Sequence, residues 1–175
     1  LAVRPSEALQ PALASLSGKR VRLDPATASA WYFEQLESAG AEIVRGQDPV
    51  VLPRACKNAA EIEGTRKAHI RDGAAVARFL HWIATEGQSG KVQEIEACQK
   101  LEAFRAETGA LKDLSFDSIS GAGPNGAIVH YRVTKRTNSK LRRGSLFLID
   151  SGGQYLAGTT DITRTLAIGP ACKQM

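Results

Sequence analysis

The segment Leu146–Thr165, LFLIDSGGQYLAGTTDITRT, sets two aspartates, Asp150 and Asp161, eleven residues apart across a glycine-rich connection. Leu146–Ile149 reads as a buried strand, and Ile162–Ile168 reads as a second strand returning from the turn. An antiparallel hairpin whose turn centres between Tyr155 and Leu156 puts Asp150 directly opposite Asp161. Opposed residues share a face, with Cβ atoms about 4.5–5.5 Å apart. Carboxylates that close repel each other unless a cation lies between them. Ions in two-metal sites are about 3.5–4 Å apart, a span that such a pair can bridge. The pair therefore points to metal-activated hydrolysis. A plainer reading competes, because Asp before Ser-Gly-Gly is also ordinary turn chemistry. The apolar run leading into Asp150 favours the metal, since a partly desolvated carboxylate needs a partner.

The three histidines divide unequally. His69 and His81 fall on one long predicted helix without a Cys or His partner one turn away, and read as structural or surface residues. His130 ends the apolar run Ala127–Val129, after the turn Gly123–Gly126 whose Asn-Gly is a hairpin signal. It is a candidate for function, although a core histidine fits the same pattern. If His130 faces a site, alternation along a strand turns Tyr131 away. Thr163 shares the face of Asp161 and is placed to bond a carboxylate or a bound water, whereas Arg164 faces the other way.

The chain reads as two parts. Residues 1–53 alternate helix and strand: Ser6–Leu16, Arg20–Leu23, Ala26–Ala39 opened by Asp24-Pro25, and Ala41–Val44. This order predicts the end of an α/β domain with a parallel pairing. Gln47–Pro53, with two prolines, is the expected boundary. Residues 54–175 begin with a helix over Glu61–Ile83, whose apolar stripe is Ile62, Val76, Leu80 and Ile83. After a break at Gly87–Gly90 comes a helix over Val92–Glu107. The strands Asp117–Ser120, Ala127–Val133, Ser145–Asp150 and Asp161–Ile168 then follow. Helices first and antiparallel strands after is an α+β order.

Charge and cysteine content narrow the function classes. The net charge of +5 is scattered, and its densest patch is Arg132–Arg143, with six basic residues in twelve. No aromatic residues interleave it, so a solvated loop is expected and no nucleic-acid partner. Cys56, Cys98 and Cys172 form no CxxC or zinc spacing and read as reduced thiols. No secretory pattern opens the chain, and no apolar run approaches the 18 or so residues that cross a bilayer. A cytoplasmic protein without a membrane partner is expected.

IDSGGQYLAGTTDITRT resembles the signature of the Xaa-Pro aminopeptidases, within the pita-bread metallopeptidases. Ala55–Ile83 is similar to the segment that opens their catalytic domain, and Phe116–Tyr131 to the part that supplies a substrate-contacting histidine. The resemblance implies a fold consisting of the first half of a pita-bread catalytic domain, preceded by the end of a non-catalytic α/β domain. It implies two metal ions, usually Mn²⁺, that activate water to cleave the bond between an N-terminal residue and a following proline. Asp150 would ligate one ion, Asp161 would bridge both, and His130 would hydrogen-bond the substrate or the tetrahedral intermediate. A homodimer is implied for the intact protein.

The family's later histidine and two glutamates have no counterpart in the last five residues, ACKQM. The chain is therefore expected to be a truncated, inactive piece with an exposed apolar face. A prolidase-like dipeptidase and a non-catalytic module of the same fold are the competing readings.

Overall fold

In the computed structural model, which describes residues 3–171, the chain forms two compact units, Leu1–Lys57 and Asn58–Met175. The first unit opens with a single 3-10 turn over Ser6–Ala8, which leads into α1 (Leu9–Ala14). β1 (Arg20–Leu23), α2 (Ala30–Ser38) and β2 (Glu42–Arg45) follow. β1 and β2 pair in parallel, with Val21 beside Ile43, as the alternating order predicts. The start of α2 differs from expectation: Ser29, not Asp24, caps the helix at the amide of Trp31. Asp24 instead accepts from the amides of Ala26 and Asp48, which holds its carboxyl below the usual range. Asp-Pro forms a turn here, because these two amides compete for the Asp24 oxygens, and that of Asp48 lies 24 residues away in sequence. A short helix, α3 (Val51–Ala55), occupies part of the proline-bearing stretch.

The second unit is built on a long helix, α4 (Ala59–Thr85). Asn58 and Glu61 close its N-terminus in a reciprocal capping box. Its buried residues Gly64, Ala68, Asp72, Ala75, Val76, Phe79 and Ile83 recur mostly every three or four positions. The stripe expected from sequence is therefore right at Val76 and Ile83, but Ile62 is exposed. Small residues, not large apolar ones, mark the buried face of the first turns. α4 ends in a 3-10 turn over Gly87–Ser89 and a left-handed Gly90. α5 (Glu94–Ala106) then lies against α4.

The strands of this unit are antiparallel. β3 (Asp113–Leu114), β6 (Gly153–Tyr155) and β7 (Gly158–Thr159) form one small sheet in the order β3-β6-β7. β4 (Ile119–Ala122), β5 (Ser145–Ser151) and β8 (Ile162–Ile168) form the other, with β5 in the centre. β5 and β8 agree with the expected strands. The expected strand over Ala127–Val133 does not form: Gly123–Ala127 is a 3-10 turn, and Asn125-Gly126 lies inside it. Asn125 is recruited by side-chain partners described below, so its hairpin propensity is overridden.

One face of the β4-β5-β8 sheet is covered and the other is open. Phe147 and Ile149 of β5, Ala122 and Ile168 join Phe79 and Ile83 of α4 and Leu101 of α5 in the core. Alternation sends Leu146, Leu148 and Asp150 to the opposite face, where all three are only partly buried. Among the described residues, no helix is long and apolar enough to cross a membrane. His69 and His81 are exposed on α4, with the His69 ring bonded to the Thr65 carbonyl one turn back. Cys56 is exposed and Cys98 buried, both as free thiols, while Cys172 and nearly all of ACKQM lie outside the described residues.

The hairpin that returns to β8 is pressed closely against its surroundings. A Cβ on Gly152 would be driven into the Thr160 carbonyl and the Ser115 hydroxyl, and the carbonyl is backbone that cannot retreat. Gly152→Ala is expected to lower unfolding free energy by about 1–3 kcal/mol. Urea denaturation checks this, and an unchanged midpoint would show that the hairpin is not packed as described.

Candidate metal centre

Asp150 sits at the end of β5 on the open face, directly opposite Thr163 of β8 and Ile119 of β4. The turn of the ribbon centres between Leu156 and Ala157, with Tyr155 opposite Gly158, one residue later than the sequence suggests. Asp161, two residues before Thr163, is therefore a diagonal neighbour of Asp150 and not its direct partner. Diagonal residues on one face are about 7–8 Å apart, and both aspartates line the same cavity. The displacement has a local cause. Thr160 bonds back to Gly153, its amide to that residue's carbonyl and its hydroxyl to that residue's amide, and this fixes the register of the tip.

His130 reaches the same place by another route. It lies in a turn at φ 53°, the one described non-glycine residue in the left-handed region. A side chain held there costs of order 1 kcal/mol or more, and persists only when its neighbours over-determine it. The neighbour that does so is Tyr131, which is buried. Its hydroxyl meets Glu94 Oε2 at 3.3 Å, and Asn125 Nδ2 donates both to that hydroxyl and to Glu94 Oε1, each at 2.9 Å. Glu94, fully buried at the start of α5, also accepts from the amides of Ala122 at 2.7 Å and Ser139 at 2.8 Å. One carboxylate thus ties both ends of the loop 122–139. Tyr131 does turn away from the site, through this network and not through strand alternation.

His130, Asp150 and Asp161 line one cavity of about 280 Å³, together with Phe116, Asp117, Ile119 and Arg132. The three residues singled out from sequence are therefore brought together. Asp117 and Arg132, which form an ion pair at the cavity, were not anticipated as part of it. Arg132 reads in the sequence as the start of a basic loop. Nothing in a run of Lys and Arg marks which of them the chain turns toward a carboxylate.

The other feature missed is the buried hub behind the hairpin. Asp72 of α4 receives Arg105 Nε at 2.7 Å and Nη2 at 3.1 Å from α5. It also accepts from the Tyr155 hydroxyl at 2.7 Å and the Thr160 hydroxyl at 2.9 Å. Both charged side chains are 0 % exposed. Burial pushes the Asp72 carboxyl up, but the hydrogen bonds from Arg105, Tyr155 and Thr160 and the guanidinium charge outweigh it and hold the carboxyl below its usual range. Burial and the Asp72 carboxylate push the Tyr155 phenol well up. An aspartate in phase with Gly64, Ala68 and Val76 on a buried helical face was the available signal.

The fit to a metal rests on Asp150. Its Oδ1 is buried and has no hydrogen-bond partner among the described residues. An anionic oxygen left so is costly unless a cation meets it. Asp161 offers a second hard oxygen donor on the same face, of the kind that suits Mn²⁺ or Mg²⁺ better than thiolate-seeking metals. Among the described residues, no group of three or more His, Cys, Asp or Glu side chains is placed to hold a metal ion.

An antiparallel sheet backed by two helices, with two aspartates and a histidine lining one cavity, is the arrangement of a pita-bread metallopeptidase. The pattern of metallopeptidase family M24 matches residues 63–175, and the chain belongs to that family. It is 46% identical over 124 residues to a probable Xaa-Pro aminopeptidase P of Laccaria bicolor, covering 70% of this chain and 19% of that protein. It is 40% identical over 156 residues to Xaa-Pro aminopeptidase 1 of Dictyostelium discoideum, covering 87% of this chain and 24% of that one. The chain thus spans about a fifth to a quarter of the length of these two relatives.

Among solved structures, an X-prolyl aminopeptidase of Caenorhabditis elegans, described as a cytosolic enzyme with a di-nuclear active site, superposes with a TM-score of 0.75. It is 34% identical, and the match covers 97% of this chain and 27% of that one. Prolidase from Pyrococcus furiosus shares the fold, with a TM-score of 0.77 at 22% identity over 99% of this chain and 48% of its own.

The lowered Asp72 carboxyl has a consequence for acid stability. A carboxyl whose folded pKa lies below its unfolded value of about 3.9 contributes stability that is fully present above that value. The contribution is lost as pH falls through the lowered folded value. Asp72→Asn should therefore flatten the fall in unfolding free energy below about pH 4. At neutral pH it should cost about 3–5 kcal/mol, because it strands the Arg105 charge. Denaturant unfolding of both proteins across this range checks the pair of effects, and parallel pH slopes would refute the linkage.

Proposed function

We propose that these residues form the ligand and substrate-contacting half of an Xaa-Pro aminopeptidase site, which releases the N-terminal residue from peptides with proline second. The observation that carries the reading is the orphaned buried oxygen of Asp150 in a cavity shared with Asp161 and His130. The family and the aminopeptidase names of its relatives support the reaction class. Asp150 would hold one divalent ion and Asp161 would touch both. When bound, such ions supply Lewis-acid activation of water and of the scissile carbonyl. His130 donates from its imidazole to the oxygen that gains charge as the carbonyl becomes tetrahedral, the role of an oxyanion-hole donor. The Glu94 network holds Tyr131, and with it the left-handed turn from which the His130 side chain reaches the cavity. Phe116 and Ile119 give the cavity an apolar wall on which a substrate side chain can shed water.

The finer assignments belong to the same proposal: Mn²⁺ as the metal, a homodimer, and a cytoplasmic location. The C. elegans relative, described as cytosolic and di-nuclear, supports the location and the ion number.

The test is hydrolysis by the intact protein of a tripeptide with proline second, beside the same peptide with alanine there, after chelation and return of Mn²⁺. Metal-dependent release of the N-terminal residue from the proline peptide alone is expected, and cleavage indifferent to the second residue would sink the reading. Asp161→Asn should reduce turnover and metal binding more than Asp150→Asn, because it loosens both ions. Each loss should reach about 10²-fold or more, on the scale of other ligand and oxyanion-hole losses. The reverse order would exclude a bridging role for Asp161.

A further inference from the structure

Arg132 lies two residues beyond His130 and lines the same cavity as His130, Asp150 and Asp161. Its guanidinium is paired with Asp117, and the two side chains are 74% and 67% exposed. An ion pair this exposed is held weakly, so Asp117 is a partner that a better anion can displace. The rest of the lining is Asp117, Asp150, Asp161, His130 and the apolar Phe116 and Ile119. Arg132 is thus the one permanent cation among the described residues that line it. A short peptide brings one carboxylate of its own, at its C-terminus. Three aspartates repel that group, and metal ions, if held by Asp150 and Asp161, would serve the scissile bond and not the peptide's far end. The planar fork of Arg132 matches a carboxylate with two parallel donors, which a water-filled groove does not.

We propose that Arg132 exchanges Asp117 for the free C-terminal carboxylate of a short substrate peptide, and so sets a preference for small peptide acids. The inference rests on the peptidase reading above and deepens it by assigning a specificity residue. A purely structural pair would close the loop between Phe116 and Arg132 on itself and would be indifferent to the chemistry of the substrate's far end.

The experiment measures kcat/KM of the intact, metal-loaded protein on Ala-Pro-Ala and on its C-terminal amide, in wild type, Arg132→Gln and Arg132→Lys. Wild type should favour the acid by about three- to fivefold at low salt, the scale of a partly exposed charged contact, and less at high salt. Arg132→Gln should bring the ratio close to one, and Arg132→Lys should keep part of it, having the charge without the fork. The ratio does not depend on how much of a variant is folded, so a stability defect cannot imitate the result. Turnover with the same acid-to-amide ratio in wild type and Arg132→Gln would overturn the role of Arg132 alone. Failure of wild type to cleave either peptide would overturn the peptidase reading and this role together.

Discussion

The second unit depends on one buried carboxylate. Asp72 collects Arg105 from the other helix and Tyr155 and Thr160 from the hairpin, and so joins three elements at one point. A buried ion pair is a poor source of net stability, because both charges must be taken out of water. What it provides is register. Thr160 can meet Asp72 while its hydroxyl and amide also bond Gly153 only if the ribbon turns at Leu156 and Ala157. Since Thr160 immediately precedes Asp161, the same bonds set where the second candidate ligand emerges. Gly64 completes the clamp, for the hairpin tip approaches α4 so closely at Ala157 that no side chain fits.

Glu94 plays the corresponding part on the other side of the cavity. It carries no cationic partner among the described residues, and its oxygens are met by two amides, an amide side chain and a phenol. Buried networks of this kind are stabilising when every member is satisfied and costly otherwise. The two carboxylates thus divide the work: Asp72 fixes the strand side, with Asp161, and Glu94 fixes the loop side, with His130. Asp150 needs neither, because β5 is held by pairing on both edges and by Phe147 and Ile149 in the core.

The legible parts of the chain were those governed by local pattern. β5 and β8 announce themselves by apolar runs, α4 by its apolar period, α5 by its content of Glu, Lys, Ala and Leu, and the parallel β1–β2 pair by its intervening helix. The spacing and strand pattern around Asp150, Asp161 and His130 made them candidates, and the resemblance to the Xaa-Pro aminopeptidases is what gave each a role. What sequence could not supply was decided by long-range partners. The Asn125-Gly126 dipeptide favours a hairpin, but Glu94, 31 residues away, captures the Asn125 side chain, and a 3-10 turn results. Asp24 looks like a helix cap until the amide of Asp48 claims it. The phase of Asp72 with Gly64, Ala68 and Val76 hints at burial, but only the fold shows that Arg105 of the other helix and the Tyr155 and Thr160 hydroxyls meet it.

The error in register matters most for the chemistry, since it changes what the aspartate pair is suited to hold. Directly opposed carboxylates would stand about 4.5–5.5 Å apart at Cβ, close enough for oxygens to press on one another without an ion. The diagonal placement relaxes that repulsion and widens the gap toward what two ions about 3.5–4 Å apart require. It also explains the unequal environments of the two residues. Asp150, inside the sheet, has a buried oxygen with nothing to bond among the described residues. Asp161, at the strand's exposed start, remains open to water. One candidate donor is already desolvated while the other stays free to adjust.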